Sequence, residues 1–215
     1  NPALTARPPS AVLGRIVPPS PDDVAALVAA TTDRVHRLAI IVGAGTGARV
    51  GEVAALRWTD IDLTAAEVLI DGAIDKITHA RKPPKSGRSR RISIPDQLVT
   101  VLAAEADARE REGWAGGYVV SPDGRPVRPA TITRWARQAA ARAGVDTTFH
   151  GLRHMVATQM IAAGVPVTTV AGHLGHADAT VTLRIYADFV PSTSRLASAA
   201  LGSVLPEFPT TTHRI

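Results

Sequence analysis

The stretch HGLRHMVATQMIAAGVPVTTVAGHLGHADATVTLRIY, residues 150–186, decides the fold. Apolar residues recur in it every three or four positions, and Gly164-Val165-Pro166 and Gly175 cut the run twice. It therefore reads as three short helices, 150–163, 166–174 and 178–187. Upstream, 129–143 is a further helix closed by Gly144, and Pro95-Asp96 starts another that runs through Leu102 to Ala108. Two short strands are predicted at 67–70 and 90–94, the second because Ile92 and Ile94 alternate with Arg91 and Ser93. Residues 58–62 read as a turn and 118–120 as the edge of a third strand or a loop. Gly43, Gly45 and Gly47 interrupt the helical pattern between 35–42 and 50–56, which predicts two helices meeting at a glycine-lined bend. Ser20-Pro21-Asp22-Asp23 supplies an N-cap, a first-turn proline and first-turn acids for an opening helix. The expected fold is α+β, mainly α-helical: one domain with a small antiparallel β-sheet.

Composition narrows the function. The 215 residues hold 24 Lys and Arg against 19 Asp and Glu, a formal net charge of +5, which suits a phosphate-rich partner. A hydrophobic share of 45% excludes wholesale disorder, and 4% aromatic content argues against binding single strands chiefly by base stacking. The longest apolar run near the front, 38–42, is far short of the roughly 18 residues of a spanning helix, so no membrane partner is expected. With no cysteine there is no disulfide, thiol nucleophile or Cys-based zinc site, and a cytoplasmic protein is expected. Proline density marks 1–20 as an interdomain linker, and the missing initiator Met suggests a fragment whose N-terminal module lies before Asn1. The remainder divides into a main domain, 21–190, and a C-terminal helix and tail, 191–215.

Four clusters have chemical potential, and each also has a plain structural reading. Arg49 at a helix start after the glycine bend is either one half of a surface pair with Glu52 or a phosphate clamp aided by free N–H groups. The acid-free run 76–91, with Lys76, Arg81, Lys82, Lys85, Arg88, Arg90 and Arg91, is either a solvated face or a hairpin loop that enters a DNA groove. His150-x-x-Arg153-His154 is either a polar helix start or, through His150 and His154 at i,i+4, a zinc pair, although the glutamate of a His-Glu-x-x-His site is absent. Tyr186, ten residues after His176, is either a half-buried packing residue or a nucleophile. Together they form a kit for attack on a phosphodiester without metal or cofactor. Arg49 and Arg153 stay charged and can cradle the non-bridging oxygens. His150 and His176 complete the cradle, and one of them takes the phenolic proton of Tyr186. Lys85 is the acid for the departing 5′ oxygen.

The stretches TGARVGEVAALRWTDID (46–62), KPPKSGRSRRISIP (82–95), HGLRHMVATQMIAAG (150–164) and LGHADATVTLRIYADF (174–189) resemble the catalytic domain of the tyrosine site-specific recombinases, the phage and mobile-element integrases. The resemblance implies that Arg49 and Arg153 are the paired arginines, Lys85 the hairpin lysine, His150 and His176 the two histidine positions and Tyr186 the nucleophile. Lys85 is preferred to Lys82 because Ser86-Gly87 follows it, as in the family hairpin. Lys82, Arg88, Arg90 and Arg91 are left as DNA contacts. The implied function is cleavage and rejoining of double-stranded DNA through a 3′-phosphotyrosine, in a homo-tetramer on DNA whose subunits carry an N-terminal core-binding domain. In the family a C-terminal segment commonly packs on the adjacent protomer; the other reading of 191–215 is a terminal helix that closes the core of its own domain. Two rivals are a non-enzymatic repressor, with 165–174 and the next helix as a helix-turn-helix, and a type IB topoisomerase-like nicking-closing enzyme.

Overall fold

The structure, a computed structural model, describes residues 17–84, 87, 89–114, 116–176 and 178–186. Helix α1 (Pro21–Ala29) starts in a capping box, Ser20 and Asp23 each satisfying the other's backbone N–H. Helix α2 (Arg34–Thr46) starts at Asp33, whose carboxylate accepts from the His36 N–H. It does not break at Gly43 or Gly45, as the sequence reading expected; both lie inside it and the turn comes at Gly47. Their role is close approach: a Cβ on Gly43 would stand 2.6 Å from the Phe149 ring, and one on Gly45 2.7 Å from Leu98. α3 (Val50–Ala55) follows, then a 3-10 turn (Trp58–Asp60).

The sheet is antiparallel, in the order β1 (Ile61–Asp62), β2 (Glu67–Ile70), β5 (Arg90–Ser93), with Val68 opposite Ile92 so that both point inward. Residues 58–62 are thus a turn that ends in an edge strand. Between β2 and β5 a smaller hairpin pairs β3 (Ala73–Ile74) with β4 (Arg81–Lys82). Residues 118–120 form no strand; Tyr118 makes a single bridge to Arg57. The helices α4 (Asp96–Arg111), α5 (Pro129–Ala143), α6 (Phe149–Ala162), α7 (Val167–Leu174) and α8 (Ala179–Tyr186) complete the described chain. The fold is α+β and mainly helical, with small antiparallel sheets. The C-terminal helix and tail expected at 191–215 lie outside the described residues.

Two apolar clusters result. The larger joins α1 to α5, the sheet and the start of α6 around Leu38, Ile40, Val53, Val68, Leu102, Ile132 and Leu152. The smaller holds Ala157, Ile161, Val170, Leu174 and Tyr186, from the second half of α6, α7 and the end of α8.

Candidate active site

Arg153 sits in α6 with its guanidinium turned inward, 2% exposed. Its Nη1 donates to the Gly47 carbonyl at 2.8 Å and its Nη2 to the Leu174 carbonyl at 2.7 Å. Arg49, the N-cap of α3, donates from Nη2 to the Gly175 carbonyl at 3.3 Å, and Arg90 on β5 donates from Nε to the His173 carbonyl at 2.8 Å. The carbonyls of 173, 174 and 175 therefore each take a guanidinium from a different element. The cause is the end of α7: its last carbonyls have no partner within the helix and form the negative end of its dipole. Gly175 makes the stop, at φ 68°, and a Cβ there would stand 2.6 Å from Arg90 Nη1.

Glu52 ties this layer together. Its Oε1 accepts from Arg49 Nη1 at 3.1 Å and Arg90 Nη1 at 3.2 Å; its Oε2 accepts from Arg90 Nη2 and the Arg49 backbone N–H, both at 2.9 Å. Burial pushes the carboxyl up, but the hydrogen bonds and charges of Arg90 and Arg49 outweigh it and hold Glu52 below the usual carboxylate range. Arg49 and Glu52, whose pairing was the plain alternative to a phosphate clamp, do pair, but not on the surface: Glu52 is 2% exposed and the Arg49 side chain is half-buried. Arg90, expected among the DNA contacts, is a second correction. Glu52 and the His173 carbonyl engage its guanidinium on a side chain 10% exposed, so it braces the site from inside. Arg91 faces solvent, 61% exposed. Lys82 is paired with Asp75. Lys85 and Arg88 lie outside the described residues.

The histidines form the other half. His150 and His154, one turn apart on α6, meet edge to face with ring centroids 4.5 Å apart. His154 Nδ1 lies 2.6 Å from the Tyr186 hydroxyl, and His176 Nδ1 lies 2.7 Å from Thr182 Oγ1. His173 donates from Nε2 to the Thr46 carbonyl at 3.0 Å and braces α7 on α2. Burial, then the charges of His150 and Arg153, pushes His154 down to about 4; burial, then Arg153, Arg49 and Arg90, does the same to His176, to about 4. His150 is lowered by burial and by Arg153. These rings are neutral at pH 7, each with one N–H and one lone pair. Burial also pushes Tyr186 up to about 12 against the opposing charge of Arg153, and pulls Arg153 down to about 10, with Arg49 adding to the effect.

The structure thus brings together Arg49, His150, Arg153, His176 and Tyr186 on α3, α6, α8 and the turn after α7. Sequence reasoning gave the phenolic proton to His150 or His176; the histidine on the phenol is His154. The signal was its i,i+4 spacing from His150, weighed there only as a zinc pair. Among the described residues no group of three or more His, Cys, Asp or Glu is placed to hold a metal ion. No described helix is long and apolar enough to cross a membrane.

A family model described as the phage integrase family matches residues 20–191. The chain is 31% identical over 182 residues to a XerC-like tyrosine recombinase of Caldanaerobacter subterraneus subsp. tengcongensis, covering 73% of this chain and 46% of the relative. It is 26% identical over 163 residues to the integrase of Staphylococcus phage L54a, covering 69% and 46%. The chain spans about half the length of the curated relatives it matches. Among solved structures, the crystal structure of XerA recombinase superposes with a TM-score of 0.67 at 25% identity, covering 94% of this chain and 68% of that one. The integrase of the Tn1549 transposon, in complex with transposon right end DNA, gives 0.70 at 21% identity, covering 86% and 66%.

Proposed function

The chain belongs to the phage integrase family, and we propose on that premise that it is the catalytic part of a site-specific recombinase that cuts and rejoins double-stranded DNA through Tyr186. The single observation that carries the reading is one cluster: two arginines anchored on the end of α7 beside a phenol seated on a neutral histidine. Arg49 and Arg153 hold the non-bridging oxygens of the scissile phosphate, and their charge offsets the charge that gathers on phosphorus. The Tyr186 oxygen forms the new bond to phosphorus as its proton passes to His154 Nδ1. The bond to the 5′ oxygen breaks, and Lys85 supplies that oxygen with a proton. The phosphotyrosine conserves the energy of the broken bond, so a 5′ hydroxyl reverses the step without metal or high-energy cofactor.

Both Tyr186 and Arg153 are 2% exposed. This is a closed arrangement, and DNA must shift α8 relative to Arg153, with Tyr186 still in reach of His154, before phosphorus meets both. Lys82, Lys85, Arg88 and Arg91 contact the duplex backbone. The catalytic domain comprises 21–190, with 1–20 as a linker to a core-binding domain before Asn1 and 191–215 as the segment that packs within a homo-tetramer on DNA. The substrate puts the work at the nucleoid of a bacterial or phage-infected cell. A repressor reading is disfavoured because α8, its would-be recognition helix, uses Thr182 and Tyr186 inward. A nicking-closing enzyme would share the chemistry and relax plasmids without site preference.

The test is a nicked suicide duplex followed by denaturing electrophoresis. The wild-type chain should leave a covalent adduct, while Tyr186→Phe should bind the duplex and leave none. An adduct on the Phe variant would exclude Tyr186 as the nucleophile.

A further inference from the structure

Helix α8 presents two hydroxyls inward, those of Thr182 and Tyr186, four residues apart on one face. Each meets the Nδ1 of a histidine from a different element, at 2.7 Å for Thr182 with His176 and 2.6 Å for Tyr186 with His154. Thr182 is wholly buried, so its hydroxyl needs a partner inside the protein. Burying a bare valine there would be cheaper than burying a hydroxyl, unless the hydroxyl has a task.

We propose that Thr182 is a positioning residue of this site: its hydroxyl donates to His176 Nδ1, fixes the imidazole N–H on Nε2, and so couples the seating of α8 to the donor that His176 offers a phosphate. The inference rests on the recombinase reading. A phosphate oxygen only accepts, so an imidazole that touches it must present an N–H, and a neutral ring has just one. With Nδ1 occupied by Thr182, that N–H has to be on Nε2, and the hydroxyl has to be the donor. The competing arrangement turns the hydroxyl back toward the carbonyl four residues earlier, lets Nδ1–H donate to Oγ1, and leaves Nε2 a bare acceptor. Burial first, and then the charges of Arg153, Arg49 and Arg90, favour the neutral form of this ring. Its tautomer, rather than its charge, is therefore the variable that Thr182 sets. The geometry also links the halves of the mechanism. A rotation or slide of α8 that moves Tyr186 off His154 moves Thr182 relative to His176, so the tyrosine's position and the donor pattern facing the phosphate change together.

The experiment uses the 15N-labelled 215-residue chain without DNA, with long-range imidazole spectra in which His176 is assigned by its disappearance in His176→Asn. Wild type and Thr182→Ser should show His176 as the Nε2–H tautomer, and Thr182→Val should show a mixture containing Nδ1–H. On the suicide duplex Thr182→Val should form adduct about tenfold more slowly, the size of one lost hydrogen bond, with DNA binding unchanged; Thr182→Ser should restore the rate. A His176 that is Nδ1–H in the wild type overturns the proposal without any variant. So does a folded Thr182→Val with the wild-type tautomer and rate. If the wild type forms no adduct at all, the recombinase reading fails, while the tautomer still decides the role of Thr182.

Discussion

The arginine layer and the tyrosine helix are held by opposite means. Arg49, Arg90 and Arg153 are fixed by hydrogen bonds to the 173–175 carbonyls and to Glu52, next to the large apolar cluster. The Tyr186 end of α8 rests on four other buried residues of the small cluster and on two hydrogen bonds between hydroxyls and imidazoles. So short a helix segment has little stability of its own, and among the described residues those contacts hold α8 in place. The part that must stabilise charge is built rigid, since preorganised donors work best when nothing reorganises. The part that must move to phosphorus is attached lightly. Catalytic groups and structural braces are consequently the same residues on one side and separable on the other.

Arg153→Ala should break the rigid half hardest. It removes a donor for the transition-state charge, and with it at least about a thousandfold of adduct formation is expected to go. It also leaves the Gly47 and Leu174 carbonyls without their buried partner, at about 1–3 kcal/mol each, so thermal unfolding should come several degrees lower. A variant that loses activity but melts like the wild type would show that Arg153 is not a brace, and the contrast between the halves would fall.

Glu52→Gln is a smaller and more selective perturbation. It keeps the shape but removes the charge that balances Arg90 and Arg49, and breaking one partner of a buried pair costs about 3–5 kcal/mol. A drop in melting temperature of about 10 °C is expected, together with slower adduct formation as Arg49 loses its seat. An unchanged melting curve by calorimetry would mean that the carbonyls alone hold the layer.

This division also explains what could be read from the sequence. Helix limits were legible because caps and glycines are local: α5 was expected at 129–143 and is Pro129–Ala143. The members of the arginine and histidine set were legible through their order along the chain. Their partners were not, because those are tertiary. Nothing local says that Arg90 is drawn in under α7 while its neighbour Arg91 points out, or that Glu52 is buried. The same limit hid His154, whose role depends on where α8 comes back to α6. Gly43 and Gly45 misled for a related reason. Their lack of a side chain serves contacts with Phe149 and Leu98 rather than a break.

The mildest test acts on the lightly held half through acid. His154 and His176 both have a folded pKa of about 4, against 6.5 in the unfolded chain. Below pH 6.5 the unfolded chain takes up protons at these rings and the folded chain does not, so stability is full above 6.5 and declines as the pH falls toward 4. Glu52 loses its own contribution only below its unfolded value of 4.5, so the interval from pH 6.5 to 5 belongs mainly to the histidines. His150 and His173, also lowered, add to the effect in the same direction. With a discount for the water that reaches half-buried rings, His154 and His176 together should be worth about 1–2 kcal/mol over that interval, or about 2–6 °C in melting temperature. Replacing both by asparagine should lower the melting temperature at pH 7, since two hydrogen bonds to α8 are disturbed, and should flatten its fall between pH 6.5 and 5. Glu52 itself does not titrate in that interval, so Glu52→Gln should shift the whole curve down and leave its slope intact. Equal slopes in the asparagine variant and the wild type would show that the two rings are already protonated or freely hydrated at pH 6, and α8 would then be held by its apolar contacts alone.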